Sequence, residues 1–157
     1  MAEASGDVCQ RLAAEELAQV FRFLSPEEAV ALCAFLDYRQ YPAGSIVIRE
    51  HDPGDFMAFL VRGRLEARKE TSFPGKFMTV AVFDPGTMVG EMAVIHEQQR
   101  SATVVARDDA VCLVLGREAM DELLVLHPAL GIKILKRMLY VLSLRLKEAD
   151  ERLSWLL

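Results

Sequence analysis

The residues best placed to do chemistry are Glu91 and Arg100, nine positions apart in the stretch VGEMAVIHEQQRSATVVA, which runs from Val89 to Ala106. Gly90 precedes the acid, and the small pair Ser101 and Ala102 follows the base. Charged side chains in so apolar a run need partners, and the simplest arrangement pairs the two with each other. Other details point outward. Gly90 lets a backbone approach a ligand closely, and EMAVI reads as a short helical turn after a strand, whose first N–H groups are open to an anion. Arg100 adds a planar, permanently charged fork suited to phosphate, and Ser101 and Ala102 leave room for it. Glu91, an acceptor-only carboxylate, suits sugar hydroxyls better than a second anion. A ligand with a phosphate close to a ribose hydroxyl meets all of these demands, and a cyclic nucleotide is such a ligand.

Other chemistry finds less support. Cys9, Cys33 and Cys112 are odd in number and widely spaced, so they read as reduced, mostly buried apolar residues rather than a disulfide framework or metal knuckle. His51, His96 and His127 are equally scattered, and no metal site is expected. No nucleophile–base pair stands out, so no catalytic residues are expected. A formal charge of -5 without a basic run argues against direct nucleic-acid binding. The N-terminal MAEASGDVCQ carries acids where a targeting peptide carries cations, and no apolar run approaches the roughly 18 residues of a membrane span. A soluble, cytoplasmic protein without a membrane partner is expected.

The elements that must hold the pair follow from periodicity. From Asp7 to Phe35 apolar residues recur at helical spacing, and Ser25-Pro26-Glu27-Glu28 is a restart signal, which predicts two short leading helices. From Arg39 the texture becomes SIVIRE, FMAFLVRG, LEARKET, FMTVAVF, ATVVA and AVCLVL, separated by YPAG, DPGD, FPGK and DPGT. Short strands punctuated by Pro-Gly turns predict a compact β-roll or barrel. Helical periodicity returns after Gly116. Beyond Pro128, Ile132, Leu135, Leu139, Leu142, Leu146, Ala149, Leu153 and Leu156 form an unbroken heptad seam. That helix, about 45 Å long at 1.5 Å per residue, exceeds what one small roll can cover. A parallel homodimer is expected, with an intrachain lid as the competing arrangement.

GEMAVIHEQQRSATVVA resembles the phosphate-binding cassette of the cyclic nucleotide-binding domain family, the module of protein kinase A regulatory subunits, catabolite activator protein and cyclic-nucleotide-gated channels. DPGDFMAFLVRGRLEA and FDPGTMVGE extend the resemblance over most of the chain. It implies one domain, 1–157: N-terminal helices at 7–37, a mainly β, eight-stranded β-roll of the double-stranded β-helix or jelly-roll type at 39–115 with its cassette at 89–104, and C-terminal helices at 117–157. By the same resemblance Glu91 binds the ribose 2′-hydroxyl and Arg100 the exocyclic phosphate oxygens. Backbone N–H groups of the Gly90-Glu91-Met92-Ala93 turn, at Ala93, and those of Ser101 and Ala102 help hold the phosphate. Asp55 orients Arg100 or caps its own turn. Ser101 stands where kinase subunits usually carry Ala, so the base is left open between cAMP, favoured, and cGMP. Ser143 and Arg145 are candidates to cap the base, with a solvated position the competing reading, above all for Arg145. The function implied is a non-enzymatic sensor that signals to an unidentified effector by moving its C-terminal helices. The alternative is an interaction or dimerisation module of the same fold that has lost its ligand.

Overall fold

The computed structural model describes residues 8–157; Asp7, where the first helical periodicity begins, and the acidic N-terminal stretch before it lie outside them. A 3-10 turn, Cys9–Arg11, leads into α1 (Ala14–Val20) and α2 (Pro26–Cys33). The restart signal works as read. The Ser25 hydroxyl accepts from the Glu28 N–H at 3.2 Å, and the Glu28 carboxylate accepts from the Ser25 N–H at 2.9 Å, a reciprocal cap with Pro26 first in the helix.

Eight strands follow among the described residues: β1 (Asp37–Tyr41), β2 (Ile46–Ile48), β3 (Phe56–Arg62), β4 (Leu65–Glu70), β5 (Phe77–Phe83), β6 (Met88–Val89), β7 (Thr103–Ala106) and β8 (Ala110–Gly116). They form two four-stranded antiparallel sheets, ordered β1-β8-β3-β6 and β2-β7-β4-β5. The near-continuous apolar runs of β3 and β8 have a plain cause, since both faces of their sheet are covered. Met57, Phe59 and Val61, with Val111, Leu113 and Leu115, meet the helices. Ala58 and Leu60, with Ala110, Cys112 and Val114, meet Leu65, Ala67 and Val104 of the other sheet. A strand's two-residue period thus serves two cores at once.

Helix exceeds strand, at 41% against 29% of the described residues, so "mainly β" is corrected to a β-roll with a large helical complement. α3 (Arg117–Leu126) and α4 (Pro128–Leu156) supply most of it. No helix among the described residues is long and apolar enough to cross a membrane.

Two further expectations change. Cys9 and Cys33 form a disulfide, 24 positions apart, because the leading 3-10 turn comes back against the end of α2; linear spacing carries no trace of that approach. Cys112 is the free, buried thiol expected, and burial pushes its pKa up to about 12. On α4, Leu130, Ile134 and Met138 face the body and are fully or nearly fully buried, whereas Leu139 and Leu146 of the heptad seam are each 65% exposed. The helix therefore carries two apolar stripes, one inward and one outward.

Candidate ligand-binding site

β6 ends at Val89 and is followed by Gly90, whose φ of +71° lies in the left-handed region, and the chain then tightens into a 3-10 turn, Glu91–Val94. The turn expected from EMAVI is present. The returning segment is sewn to the β2–β3 loop: the Arg100 N–H donates to Asp52 O at 2.8 Å, Gly54 N–H to Gln98 O at 3.2 Å and His51 N–H to Arg100 O at 2.9 Å. These bonds fix the Arg100 Cα before its side chain does anything.

Glu91 and Arg100 are both buried, at 4% and 8% exposure, yet they do not pair with each other. Arg100 donates through Nη2 to Phe56 O at 2.7 Å and through Nη1 to Gly90 O at 3.2 Å, and its guanidinium lies 4.7 Å from the centre of the Phe56 ring. Among the described residues no carboxylate touches it. Burial lowers its pKa, with the charges of Asp55 and Glu91 opposing and that of Arg117 assisting. A cation held by neutral carbonyls in a desolvated place retains a strong attraction for an anion.

Glu91 finds its partner elsewhere. Arg145, 54 positions along on α4, forms an ion pair with it and donates from Nη2 to Met88 O at 2.6 Å, its guanidinium 5.4 Å from the Phe83 ring centre. The solvated reading of Arg145 is thereby corrected: its side chain is one-third exposed and turned inward to the acid of the cassette. Ser143 differs. It is exposed, its hydroxyl donates to Tyr140 O at 2.7 Å on its own helix, and it does not line the cavity.

That cavity, about 670 Å³, lies between the cassette, β4–β5 and α4. Its walls bring Gly90, Glu91, Met92, Ala93, Arg100, Ser101 and Ala102 together. Val80, Phe83, Tyr140 and Leu144 supply apolar surface opposite them. Met92 is half-exposed, Ser101 exposed, and the Ala93 N–H donates to Gly90 O at 3.2 Å. Asp55 is exposed and makes no direct bond to Arg100; its carboxylate favours the charged guanidinium through space, while its main-chain carbonyl accepts from the Arg117 N–H at 2.7 Å.

Three contributors escaped the sequence reading. Gly54 looked like an ordinary turn glycine, but a Cβ there would come within 2.7 Å of the Ala93 Cβ and 2.8 Å of Arg100 Nε. Phe56 both accepts from Arg100 and underlies it. Arg117 donates to Ala93 O, at 2.9 Å from Nε and 2.8 Å from Nη2, and to Gly54 O. Only Gly54 left a signal, its place in a DPGD turn.

The model of the cyclic nucleotide-binding domain matches residues 38–127, more than half of the chain. The chain belongs to the cyclic nucleotide-binding domain family. The matched part holds the strands from β1 to β8, the whole cassette and α3, and stops before α4. The domain is 31% identical over 137 residues to the cyclic AMP receptor protein of Thermus thermophilus, covering 87% of this chain and 61% of that one. It is 36% identical over 101 residues to the cAMP-dependent protein kinase regulatory subunit of Aspergillus niger, covering 64% and 24%. Among solved structures, a cyclic nucleotide-binding domain from Methylobacillus flagellatus matches with a TM-score of 0.79 at 30% identity, over 88% of this chain and 82% of that one. The domain therefore spans under two thirds of the first of these relatives and about a quarter of the second.

Proposed function

We propose that this domain is a receptor for a cyclic nucleotide, cAMP before cGMP, and that it reports occupancy through α4. One observation carries the reading: a buried guanidinium, Arg100, which among the described residues is hydrogen-bonded to two carbonyls and to no carboxylate, beside a left-handed glycine turn. A cyclic phosphate offers Arg100 a charged acceptor in place of two neutral ones, and offers the Ala93 N–H a stronger partner than Gly90 O. The ribose 2′-hydroxyl donates to Glu91, so ligand and Arg145 share or exchange one carboxylate. That differential contact is what biases α4 between positions. The names of the Thermus and Aspergillus relatives favour cAMP, and the cavity has the size of ordinary small-molecule sites, about 300–1,000 Å³. Arginine and backbone amides hold a phosphate without activating water, which supports binding rather than hydrolysis.

The outward stripe of α4 supports the second half of the proposal, a homodimer through Ile132, Leu139, Leu146 and Leu153, whose exposure runs from 50% to 65%. The module that has lost its ligand gains one point in its favour, because Arg145 gives Glu91 a partner without any ligand. Arg100 still weighs against it.

Calorimetric titration with cAMP, cGMP and 2′-deoxy-cAMP tests the receptor reading. Wild type is expected to bind cAMP, and Glu91→Gln to weaken cAMP much more than the 2′-deoxy analogue. No binding of either ribonucleotide at millimolar concentration overturns it. Light scattering on the full chain and on a form ending at Leu142 tests the seam: dimer turning to monomer supports it, and a concentration-independent monomer in both rejects it.

A further inference from the structure

The cavity carries more positive charge than one cyclic nucleotide uses. Among the described residues six cations line it, Arg22, Lys69, Arg100, Arg137, Arg145 and Arg152, against two carboxylates, Glu91 and Glu148. The chain as a whole has a formal charge of -5, so this excess is local. A cleft lined by one sign of charge focuses its field and concentrates ligands of the other sign. Arg145 is paired with Glu91, and on the receptor reading Arg100 takes the single negative charge of a cyclic mononucleotide. Arg137 is left over, and it is not a loose surface side chain.

Arg137 is half-buried on α4, its guanidinium 5.5 Å from the Phe23 ring centre and 5.2 Å from that of Tyr140. Phe23 packs on the helical core, which fixes one of the two contacts. Aromatic contact holds a guanidinium in place but leaves its in-plane N–H groups in need of acceptors. Among the described residues no carboxylate or carbonyl accepts from them. A second cation reaches the same place through Phe23. Its chain neighbour Arg22 extends to the β5–β6 turn, where a Cβ on Gly86 would stand 3.8 Å from Arg22 Nη2. Arg22 likewise has no acid partner among the described residues, and Thr87, next in that turn, adds a hydroxyl to the lining. Eight positions at 1.5 Å per residue put Arg137 about 12 Å along α4 from Arg145, toward the root of the helix and away from the contact with Glu91. Glu148, eleven positions on, is about 16 Å along the helix from Arg137 and too far to pair with it.

We infer that this end of the cavity is a second phosphate subsite, in which Arg137 and Arg22 hold a phosphate group that the cassette does not. The planar fork of arginine fits phosphate oxygens two at a time, and the rings of Phe23 and Tyr140 keep the fork of Arg137 from swinging into solvent. That group belongs either to the far end of a nucleotide with two phosphates, whose other end lies on Arg100, or to a separate small phosphate anion. The subsite stands on its own residues; the sharing of one ligand with the cassette rests on the receptor reading above.

Calorimetric titration of the full chain at constant ionic strength is the test, with cAMP, cyclic di-AMP and inorganic pyrophosphate as probes. Arg137→Met keeps an apolar stem against both rings and removes the fork. It is expected to bind pyrophosphate, cyclic di-AMP or both at least about tenfold more weakly than wild type, and cAMP within about threefold. Arg22→Gln, a change to an exposed side chain, is expected to weaken the same probe by more than about threefold, and it decides alone if Arg137→Met shows no cooperative thermal unfolding. Arg100→Met separates the two sources. A ligand that bridges both subsites loses affinity there as well, whereas a separate anion keeps its affinity and also binds the cAMP-saturated protein. Failure of wild type to bind either two-phosphate probe at millimolar concentration overturns the subsite. So does binding of both probes by the deciding variant within about threefold of wild type. A loss of cAMP affinity in Arg137→Met as large as that of the two-phosphate probes also overturns it, because Arg137 would then serve the ligand of the cassette. If wild type ignores cAMP while pyrophosphate binding depends on Arg137, the receptor reading falls and the subsite stands.

Discussion

Replacing Arg100 by Met separates a residue kept for the fold from one kept for an anion. Without nucleotide, Arg100→Met forfeits two charge-assisted hydrogen bonds, to Phe56 O and Gly90 O, each worth about 1.5–3 kcal/mol, and a cation–π contact of about 0.5–2 kcal/mol. Against this stands the relief of a cation 8% exposed and touched by no carboxylate among the described residues, a penalty of several kcal/mol for a buried ion. The lowered pKa of Arg100, caused first by burial, carries the same sign: the folded state disfavours its charge. Met retains the unbranched stem, and Gly90 O keeps the Ala93 N–H as a donor. The opposing terms are of equal order, so unfolding free energy is expected to change by about 1 kcal/mol or less in either direction. On the proposed receptor reading binding has no such compensation, because the phosphate loses the guanidinium assigned to it. About 3–5 kcal/mol is expected there, on the order of a hundred to several thousandfold in Kd. Urea unfolding without nucleotide and calorimetric titration with cAMP measure the two quantities. Stability falling by more than about 3 kcal/mol with affinity within threefold of wild type would refute the reasoning and make Arg100 a structural strut.

Gly90→Ala places a Cβ 2.7 Å from Arg100 Nη1 on a backbone with φ +71°, so about 1–2 kcal/mol of stability and at least about tenfold in cAMP affinity should be lost; unchanged affinity would free Arg100 from the turn. Arg145→Met leaves buried Glu91 unpaired, and because Arg145 is one-third exposed the usual cost is reduced to about 1–2 kcal/mol. Glu91→Gln should restore most of this loss in a double-mutant urea cycle, whereas additivity within about 0.5 kcal/mol would show the two side chains to be independent. Acid should loosen the leading helices, since Arg62 holds the Glu16 carboxyl, and Lys133 that of Glu28, below their ordinary 4.5. Depressed carboxylate pKa values stabilise the fold above pH 4.5 and cease to do so as pH falls through the lowered values, so Tm should drop below about pH 4.5 and Glu16→Gln should flatten that drop. A Tm profile unchanged by Glu16→Gln would deny the contribution of the Arg62 pair.

What was legible in the sequence was local. Gly90, Glu91 and Arg100 fall within eleven positions, so their residue types and order could be read together, as could the Ser25-Pro26-Glu27-Glu28 cap. The apolar runs of β3 and β8 were legible as strands although their reason, burial on both faces, was not. β1 escaped because DYRQY is polar and held at an edge by β8, and β6 because two residues give no period. The partners of the site were hidden by distance along the chain: Arg145 meets Glu91 across 54 positions and Arg117 meets Gly54 across 63. Cys9 and Cys33 were hidden likewise. Each of these contacts depends on how separate elements return to one another, which neither spacing nor composition encodes.

The two stripes of α4 set a charge that faces the cavity beside a leucine that faces outward. Arg145 and Leu146 are neighbours on the helix, one facing Glu91 and the other facing outward at 65% exposure. Successive residues on an α-helix point about 100° apart, so the direction of one fixes the direction of the other. Met138 and Val141 anchor the helix on the same side as Arg145, one fully and one partly buried, but beyond Arg145 every residue of α4 is exposed. Among the described residues the ion pair to Glu91 is the last between α4 and the roll, and beyond it Glu148, Ala149 and Arg152 line the cavity while remaining exposed. On the proposed receptor reading, a ribose hydroxyl competing for Glu91 is expected to act on that contact and not on the buried Leu130, Ile134 and Met138. Of the inward contacts of α4, the ion pair of Arg145 with Glu91 thus lies nearer the exposed final turns than the buried Leu130, Ile134 and Met138.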